Sequence, residues 1–560
     1  MVETTQQRVE QRQPEPLGDW RRYFSFCVDH KVIGIQYLVT TFFFYLLGGA
    51  LAMVIRAELM TPGAELERSL YNGVFTIHAT IMIFLWIIPT LAGFGNFLVP
   101  LMIGARDMAF PRLNALSFWM IPPGGLLLLS SFFVQSGAAG AGWTSYPPLS
   151  TQQVQVGDLL VTNFGQVIWI ASVVFLGTSS ILAALNFIVT IVAMRTEGME
   201  LFRMPLFCWA TLTASCITLL GTPVLAGAVI LLAFDLLLGT VFFNPTGGGD
   251  PVVYQHMFWF YSHPAVYIMV LPAMGIISEV LPVFSRKPIF GYKAIAISSM
   301  GIAVLGFLVW AHHMFTSGTP DWLRMFFMVT SFLIAVPTGI KVFSWLGTIW
   351  GGKLELSSAM LFAMGFVSMF VVGGLSGIML ASVPVDIHVH DTYFVVAHLH
   401  YVLFGGSVFA IYAGLYYWFP KMTGRLLNET WGKIHFALTF IGFNLCFLPM
   451  HQLGLQGMPR RVAEYAEQFQ SLNVLVSIGG FLLGISTLPF LFNAIYSWLW
   501  GPKAPANPWR ALTLEWTTAS PPPVENFEYL PVVTAGPYEY GTVGSSPEGD
   551  TPTAISQPKS

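Results

Sequence analysis

The sequence predicts an all-α integral membrane protein, a bundle of twelve transmembrane helices. Three observations lead there. The 560-residue chain is 55% hydrophobic and only 9% charged, where a soluble chain carries about a quarter charged residues. Its mean hydropathy is +0.66. Its apolar residues come in uncharged runs long enough to cross a bilayer at about 1.5 Å per residue.

The first run is Val32 to Ile55, flanked by Lys31 and Arg56. Similar runs follow at 72–103, 113–135, 163–193, 206–234, 255–283, 293–315, 322–346, 356–381, 391–418, 432–452 and 473–500. This divides the chain into a tail at 1–31, a membrane domain at 32–500 and a proline-rich tail at 501–560. Both ends read as loose: the start, MVETTQQRVEQRQPEP, is polar without the pattern of a cleavable signal, and the far end carries TASPPPVENFEYLP. No internal repeat stands out, which weakens a transporter built on inverted repeats. Cys27, Cys208, Cys216 and Cys446 show no metal or disulfide spacing and read as packing residues. The net charge of −3 argues against nucleic acid as a partner.

Twelve spans place both termini on one side, and basic residues say which. Of the 25 Lys and Arg, only Arg56, Arg68, Arg324, Arg460 and Arg461 fall in odd-numbered loops. Both termini are therefore expected in the cytoplasm.

Orientation fixes depth. His78 on span two, His263 on span six, His312 and His313 on span seven, and His398 and His400 on span ten all fall about 10 Å below the outer surface. Ionisable groups in the hydrocarbon are expensive and mark function. Imidazole suits copper, iron and zinc. His312 and His313 are about 100° apart on a helix, so both can lean toward one ion, with His263 as a third ligand. His398 and His400 are about 200° apart and suit two centres on opposite flanks. His78 can face one of these as the opposite axial ligand. His30, His256, His388, His435 and His451 lack such partners and read as structural or loop residues.

WFYSHPAVY, VWAHHMFTSG, HDTYFVVAHLHYVLFGG, PLMIGARDMAFPRLN and GLQGMPRR resemble subunit I of the haem-copper oxidases. The likeness runs from about Val32 to Trp500 and is of the bacterial cytochrome c oxidase type, with cyanobacteria a candidate source. It implies two haems, expected as haem A, and one copper. His78 and His400 would be the axial ligands of a low-spin haem. His398 would hold the high-spin haem, and His263, His312 and His313 the copper facing it, where dioxygen is reduced to water. Tyr267, one turn after His263, would be cross-linked to it and supply an electron and a proton. Pro264 bends this helix.

A site near the outer face needs protons carried about 20 Å from the inside, given a core of roughly 30 Å. Thr338, Lys341 and Ser278 match the family's shorter proton path. A lone lysine at a helix end can also simply snorkel; the PTGIKVFSW context favours the path. Asp107 matches the mouth of the second path, and Asn96, Asn114 and Asn186 its lining. Arg106 beside Asp107 departs from the commoner form, and a neighbouring cation favours the ionised carboxylate. Ala265 stands where the commoner form has a proton-donating glutamate. Tyr261 and Ser262, one turn earlier, resemble the variant in which a Tyr-Ser pair replaces it; plain helix packing is the alternative reading.

On the outer side the resemblance implies that Arg460 and Arg461 bind haem propionates. His390 and Asp391 would hold magnesium together with another subunit, and Arg56 would contact the low-spin haem's formyl group. Glu58 lies near a calcium or sodium site of some members. Implied partners are subunit II with the electron-accepting copper, subunit III, a soluble donor such as a c-type cytochrome, dioxygen and the lipid bilayer. The expected location is the bacterial cytoplasmic membrane, or the thylakoid membrane in a cyanobacterium, with proton translocation coupled to turnover. A quinol oxidase of the same superfamily shares fold and ligands; a neighbouring reading frame with a CxxxC copper motif separates the two. Tyr267 and Lys341 argue against a nitric oxide reductase. A transporter without redox chemistry predicts a colourless protein.

Overall fold

The computed structural model describes residues 20–540. Among them eleven helices are long and apolar enough to cross a membrane. Spans one to six are His30–Glu58, Arg68–Ile103, Pro111–Phe133, Phe164–Ala193, Leu206–Leu238 and Pro251–Ser285. Spans eight to twelve are Asp321–Ile349, Ser358–Ala381, Tyr393–Thr423, Glu429–Leu455 and Glu467–Trp500. The twelfth element, span seven, is shorter. Its α-helix covers only Tyr292–Gly306, and His312 and His313 follow in a separate 3-10 turn, Trp310–Met314. The expectation that these two histidines ride on a continuous helix is corrected here.

Each helix begins and ends for local reasons. Asp29 caps span one by accepting from Lys31 N at 2.9 Å, and Asn163 caps span four through Gln166 N. Gly104, at φ +75°, closes span two in the left-handed conformation that glycine adopts without a Cβ clash. Span eight breaks at Ile334 between Asp321–Leu333 and Ala335–Ile349, just before Pro337. A small antiparallel hairpin, Val154–Val156 with Leu159–Val161, sits between spans three and four.

Span six is the centre of the bundle, with 89% of its most apolar window buried against 22% for span one. Its central place explains how it can carry Pro264, Pro272 and Pro282: neighbouring helices hold the segment that the missing N–H bonds leave loose. Among the described residues two π-helical turns occur, Ile81–Ile87 and Leu403–Val408. Each starts three residues after a predicted haem ligand, His78 and His400, in keeping with the concentration of such turns at functional sites.

The C-terminal stretch does not trail away as its composition suggests. Glu515 is 0% and Trp516 1% exposed. Lys421 donates to Thr518 O at 2.7 Å and lies over the Trp516 ring. Tyr538 donates to Glu279 and accepts from Leu206 N. Residues 501–540 thus form a strap across one end of the bundle, where span one begins and span twelve ends. Aromatic side chains spaced along a polar, proline-rich chain each find a slot there, a pattern that average composition hides. The segments 1–19 and 541–560, parts of the two expected tails, lie outside the described residues.

Candidate metal centre

Span six brings His263 to the 3-10 turn that carries His312 and His313. Among the described residues these three form one group whose ligand atoms lie within 4.8 Å of one another. His263 Nδ1 is 3.2 Å and His312 Nε2 3.1 Å from His313 Nε2. The 3-10 turn is what lets two adjacent residues converge. Its tighter winding sets the two rings 4.3 Å apart with their planes at 55°. The remaining nitrogens are set by their neighbours. His312 Nδ1 pairs with Ser331 Oγ at 2.8 Å, and the His313 ring stacks on Trp259 at 3.7 Å. His263 Nε2 is buried without a partner, and the ring of Tyr267 stands edge-on to this imidazole at 4.9 Å.

The other three histidines share one device. His78 Nδ1 lies 2.8 Å from Gly48 O, His400 Nδ1 2.7 Å from Val396 O, and His398 Nδ1 3.0 Å from Gly373 O. A carbonyl only accepts, so Nδ1 carries the proton and Nε2 keeps its lone pair. This is the arrangement that metal-ligating histidines show. All six histidines line one cavity of about 1210 Å³, larger than the roughly 300–1,000 Å³ of an ordinary ligand cleft. A Cβ on Gly377 would lie 2.9 Å from His398, so the wall is cut close to that ring.

These observations fit two flat macrocycles and one metal ion. Further groups on the wall agree. Arg56 Nη2 donates to Tyr393 Oη at 3.2 Å, while Nη1 is buried without a partner and open to an acceptor from the cavity. Arg460 grips Asp391 through Nε at 2.8 Å. Burial, then the repulsion of Arg460, hold the Arg461 guanidinium down to about 10. Two guanidiniums facing one carboxylate leave positive charge on the wall, suited to acidic groups of a ligand. Burial alone would raise the Asp391 carboxyl, but Arg460 and His390 outweigh it and its pKa lies below the usual value. His390 Nδ1 is 2.9 Å from Asp386, which leaves Nε2 free, 3.8 Å from Asp391 Oδ2. Glu58 already accepts from the amides of Glu65 and Leu66 at 3.0 and 3.1 Å.

The predicted proton-path residues separate into groups. Thr338 lines the cavity. Lys341 is 2% exposed and does not snorkel; it donates to Ser299 Oγ at 2.6 Å and Ile295 O at 3.1 Å. Ser278 is bonded to Trp345 Nε1 at 3.0 Å rather than to Lys341. Asn96 Oδ1 and both amide atoms of Asn114 are buried with no protein partner, the usual mark of ordered water. Asn186 instead holds the loop next to Asp107, accepting from Phe110 N at 2.9 Å. Tyr261 and Ser262 both line the cavity, and Ser262 Oγ has no protein partner.

Sequence reasoning missed Ser331, Trp259, Ser299, Tyr393 and Ser376, the last 3.1 Å from His398 Nδ1. Trp259 and Tyr393 sit inside or beside the quoted motifs. The serines carry no periodic signal.

A family model described as Cytochrome C and Quinol oxidase polypeptide I matches residues 32–482. The chain belongs to this family. As its polypeptide I it is the catalytic subunit of a haem-copper terminal oxidase. Cytochrome c oxidase subunit 1 of Synechocystis sp. is 64% identical over 527 residues, 94% of each chain. That of Thermostichus vulcanus is 62% identical over 524 residues, 93% of each chain. A putative cytochrome c oxidase subunit 1-beta of Streptomyces coelicolor is 49% identical, over 93% of this chain and 90% of the relative. A solved heme-copper terminal oxidase dimer superimposes with a TM-score of 0.69 at 19% identity, covering 85% of both chains. At that identity the likeness speaks for the fold alone.

Proposed function

We propose that this oxidase subunit takes electrons from a c-type cytochrome and reduces dioxygen to water, with protons translocated across the membrane. The observation that carries it is the clustering of His263, His312 and His313, with His263 Nδ1 and His312 Nε2 both within 3.2 Å of His313 Nε2. The names of the cyanobacterial relatives favour a cytochrome over a quinol donor. His263, His312 and His313 hold copper; His398 holds the high-spin haem; His78 and His400 hold the low-spin haem. When bound, haem and copper supply the electron transfer and bond-breaking chemistry.

The chain's own residues deliver protons and fix orientation. Tyr267, one turn below His263, gives up the proton of its phenol oxygen. Lys341 Nζ, bound to Ser299 Oγ, holds a proton one turn inward of Thr338, which stands on the cavity wall. Ser278 steadies Trp345 beside this path. Asp107 collects protons at the inner loop. Asn96 and Asn114 hold water along the second path, Asn186 fixes the loop at its mouth, and Tyr261 and Ser262 complete the path in place of the missing glutamate. Arg460 and Arg461 hold the propionates, and the unpartnered Nη1 of Arg56 suits a formyl oxygen, which favours haem A. His390 Nε2 and Asp391 Oδ2 offer ligands to magnesium, with subunit II completing the shell and carrying the electron-accepting copper. Glu58, already engaged by backbone amides, is not part of the proposed cation set. Subunit III is a further partner. The host membrane is a bacterial cytoplasmic or thylakoid membrane, with residues 1–31 and 501–560 on the cytoplasmic side.

The reading is tested on the purified oxidase by a reduced-minus-oxidised spectrum, haem extraction and parallel assays with reduced cytochrome c and with quinol. Two haems per subunit and oxidation of the cytochrome are expected. A colourless chain, or turnover on quinol alone, overturns it. Replacing Tyr261 with Phe removes the hydroxyl but keeps the ring, and is expected to slow turnover or lower the protons pumped per electron. Unchanged values of both rule out the relay through Tyr261.

A further inference from the structure

We infer that Asn526, on the C-terminal strap, is a positioning residue for proton uptake, because its amide locks the loop that carries Asp107 to the start of span one. The inference rests on the reading of Asp107 as the mouth of the second proton path.

The loop runs from Gly104, where span two ends, to Pro111, where span three begins. It is clamped from two sides. On the span-four side, Ala109 N donates to Thr190 Oγ1 at 2.9 Å, and Asn186 bonds both the N and the O of Phe110, at 2.9 and 3.2 Å. On the other side, Asn526 Nδ2 donates to Ala105 O at 2.8 Å and to Arg106 O at 3.2 Å. Asp107 and Met108 are the two residues left between the clamps. The Asp107 carboxylate accepts from Met108 N at 2.7 Å, and both clamps bear on its aim through the backbone that carries it.

The second half of the amide reaches span one. Asn526 Oδ1 accepts from Lys31 Nζ at 2.9 Å and lies 3.0 Å from His30 Nε2. The other ring nitrogen of His30 lies 2.7 Å from Asn96 O. Asn96 is a wall residue of the same path, so the His30 ring lies between the strap and that wall. Asn526 is 0% exposed and sits at φ +66°, a conformation that asparagine tolerates and most residues resist. Its own backbone is pinned by Thr518 Oγ1, which donates to Asn526 O at 2.7 Å. Val524 O also accepts from Lys31 Nζ, at 2.8 Å, so the strap meets span one at neighbouring points, and Asn526 adds the bonds from there to the loop that carries Asp107.

The variant that isolates the amide is Asn526→Gly, since glycine accepts positive φ and only the side-chain bonds are lost. Asn526→Asp is the companion: it keeps an acceptor for Lys31 but sets oxygen against the carbonyls of Ala105 and Arg106. Each is made in the complete oxidase and reconstituted in vesicles, with Asp107→Asn alongside. Three quantities are read: haem content and spectrum, the rate of anaerobic reduction of the haem-copper site, and proton uptake and pumping when the reduced enzyme meets dioxygen. The expected result is unchanged spectra and reduction rate within twofold of wild type, with proton uptake slowed by about tenfold or more, as for a reacting group displaced by about an ångström, and fewer protons pumped per electron. Asp107→Asn should behave alike. Normal uptake in Asn526→Gly beside slow uptake in Asp107→Asn overturns the inference alone. Normal uptake in Asp107→Asn overturns the second-path reading and the inference with it. Loss of haem, or equal slowing of both phases, in Asn526→Gly reduces the residue to a general structural contact and also overturns it.

Discussion

Replacing His313 with alanine is expected to abolish oxygen reduction while leaving both haems in place. His313 is the hub of the three-histidine group: its Nε2 is the atom that both His263 and His312 approach, at 3.2 and 3.1 Å. Removing it leaves two nitrogens from different elements and an open gap beside Trp259. Loss of an outer partner of a metal ligand costs about 10–100-fold in affinity or activity, so loss of the central ligand should cost more. The proposed haem ligands do not depend on it, because His78, His398 and His400 are oriented by Gly48, Gly373 and Val396. Copper analysis of the purified variant, a haem spectrum and oxygen consumption together check the prediction. Full copper with normal turnover would show that the metal sits elsewhere. A milder variant, Ser331→Ala, loosens only the partner of His312 Nδ1 and should fall between the two.

Tyr267→Phe should have the next largest effect. The substitution keeps the ring that packs at 4.9 Å against His263 and deletes only the hydroxyl. A positioned proton donor contributes about 10²–10⁴-fold, and turnover should fall by that range. Metal content and haem spectra should stay as in the parent, since no ligand is touched. A variant that retains more than half of the parent's oxygen consumption would exclude Tyr267 as the proton donor. The 3.0 Å approach of an added Gly306 Cβ to the Tyr267 ring offers an independent check. Gly306→Ala should tilt the ring and lower turnover less than the hydroxyl deletion does.

The spans were legible in the sequence because they follow from composition, and the grouping of six histidines, which the structure places around one cavity, because it follows from helical rise. Charge-free runs mark the bilayer, and depth counts along a helix at a fixed rise. The angle between His398 and His400 on one helix assigns them to different centres in the proposed site, and the structure gives each its own backbone carbonyl. His312 and His313 meet His263 as expected, but the expected continuous helix beneath them failed, because nothing in VWAHHMF marks the end of the α-helix at Gly306. Ser331 and Ser376 were invisible because a hydroxyl that bonds across to another helix is chosen by packing, not by spacing in its own segment. The strap was misread for a related reason. Proline and polar residues lower its average hydropathy, while Trp516, Phe527 and Tyr538 are buried one at a time.

The strap also has a thermodynamic side. Lys31 and Asn526 are 495 residues apart in the chain. In a freely coiling polymer, closing so large a ring is a question of chain entropy, which grows by only about 0.6 kcal/mol for each doubling of length. Here the search is smaller still. The helices between the two residues cross the bilayer and return the chain to the same face, so the partners meet in a thin layer instead of a volume. Bonds too weak to organise an unfolded chain of this length are therefore enough to fasten its two ends once the helices stand in the membrane.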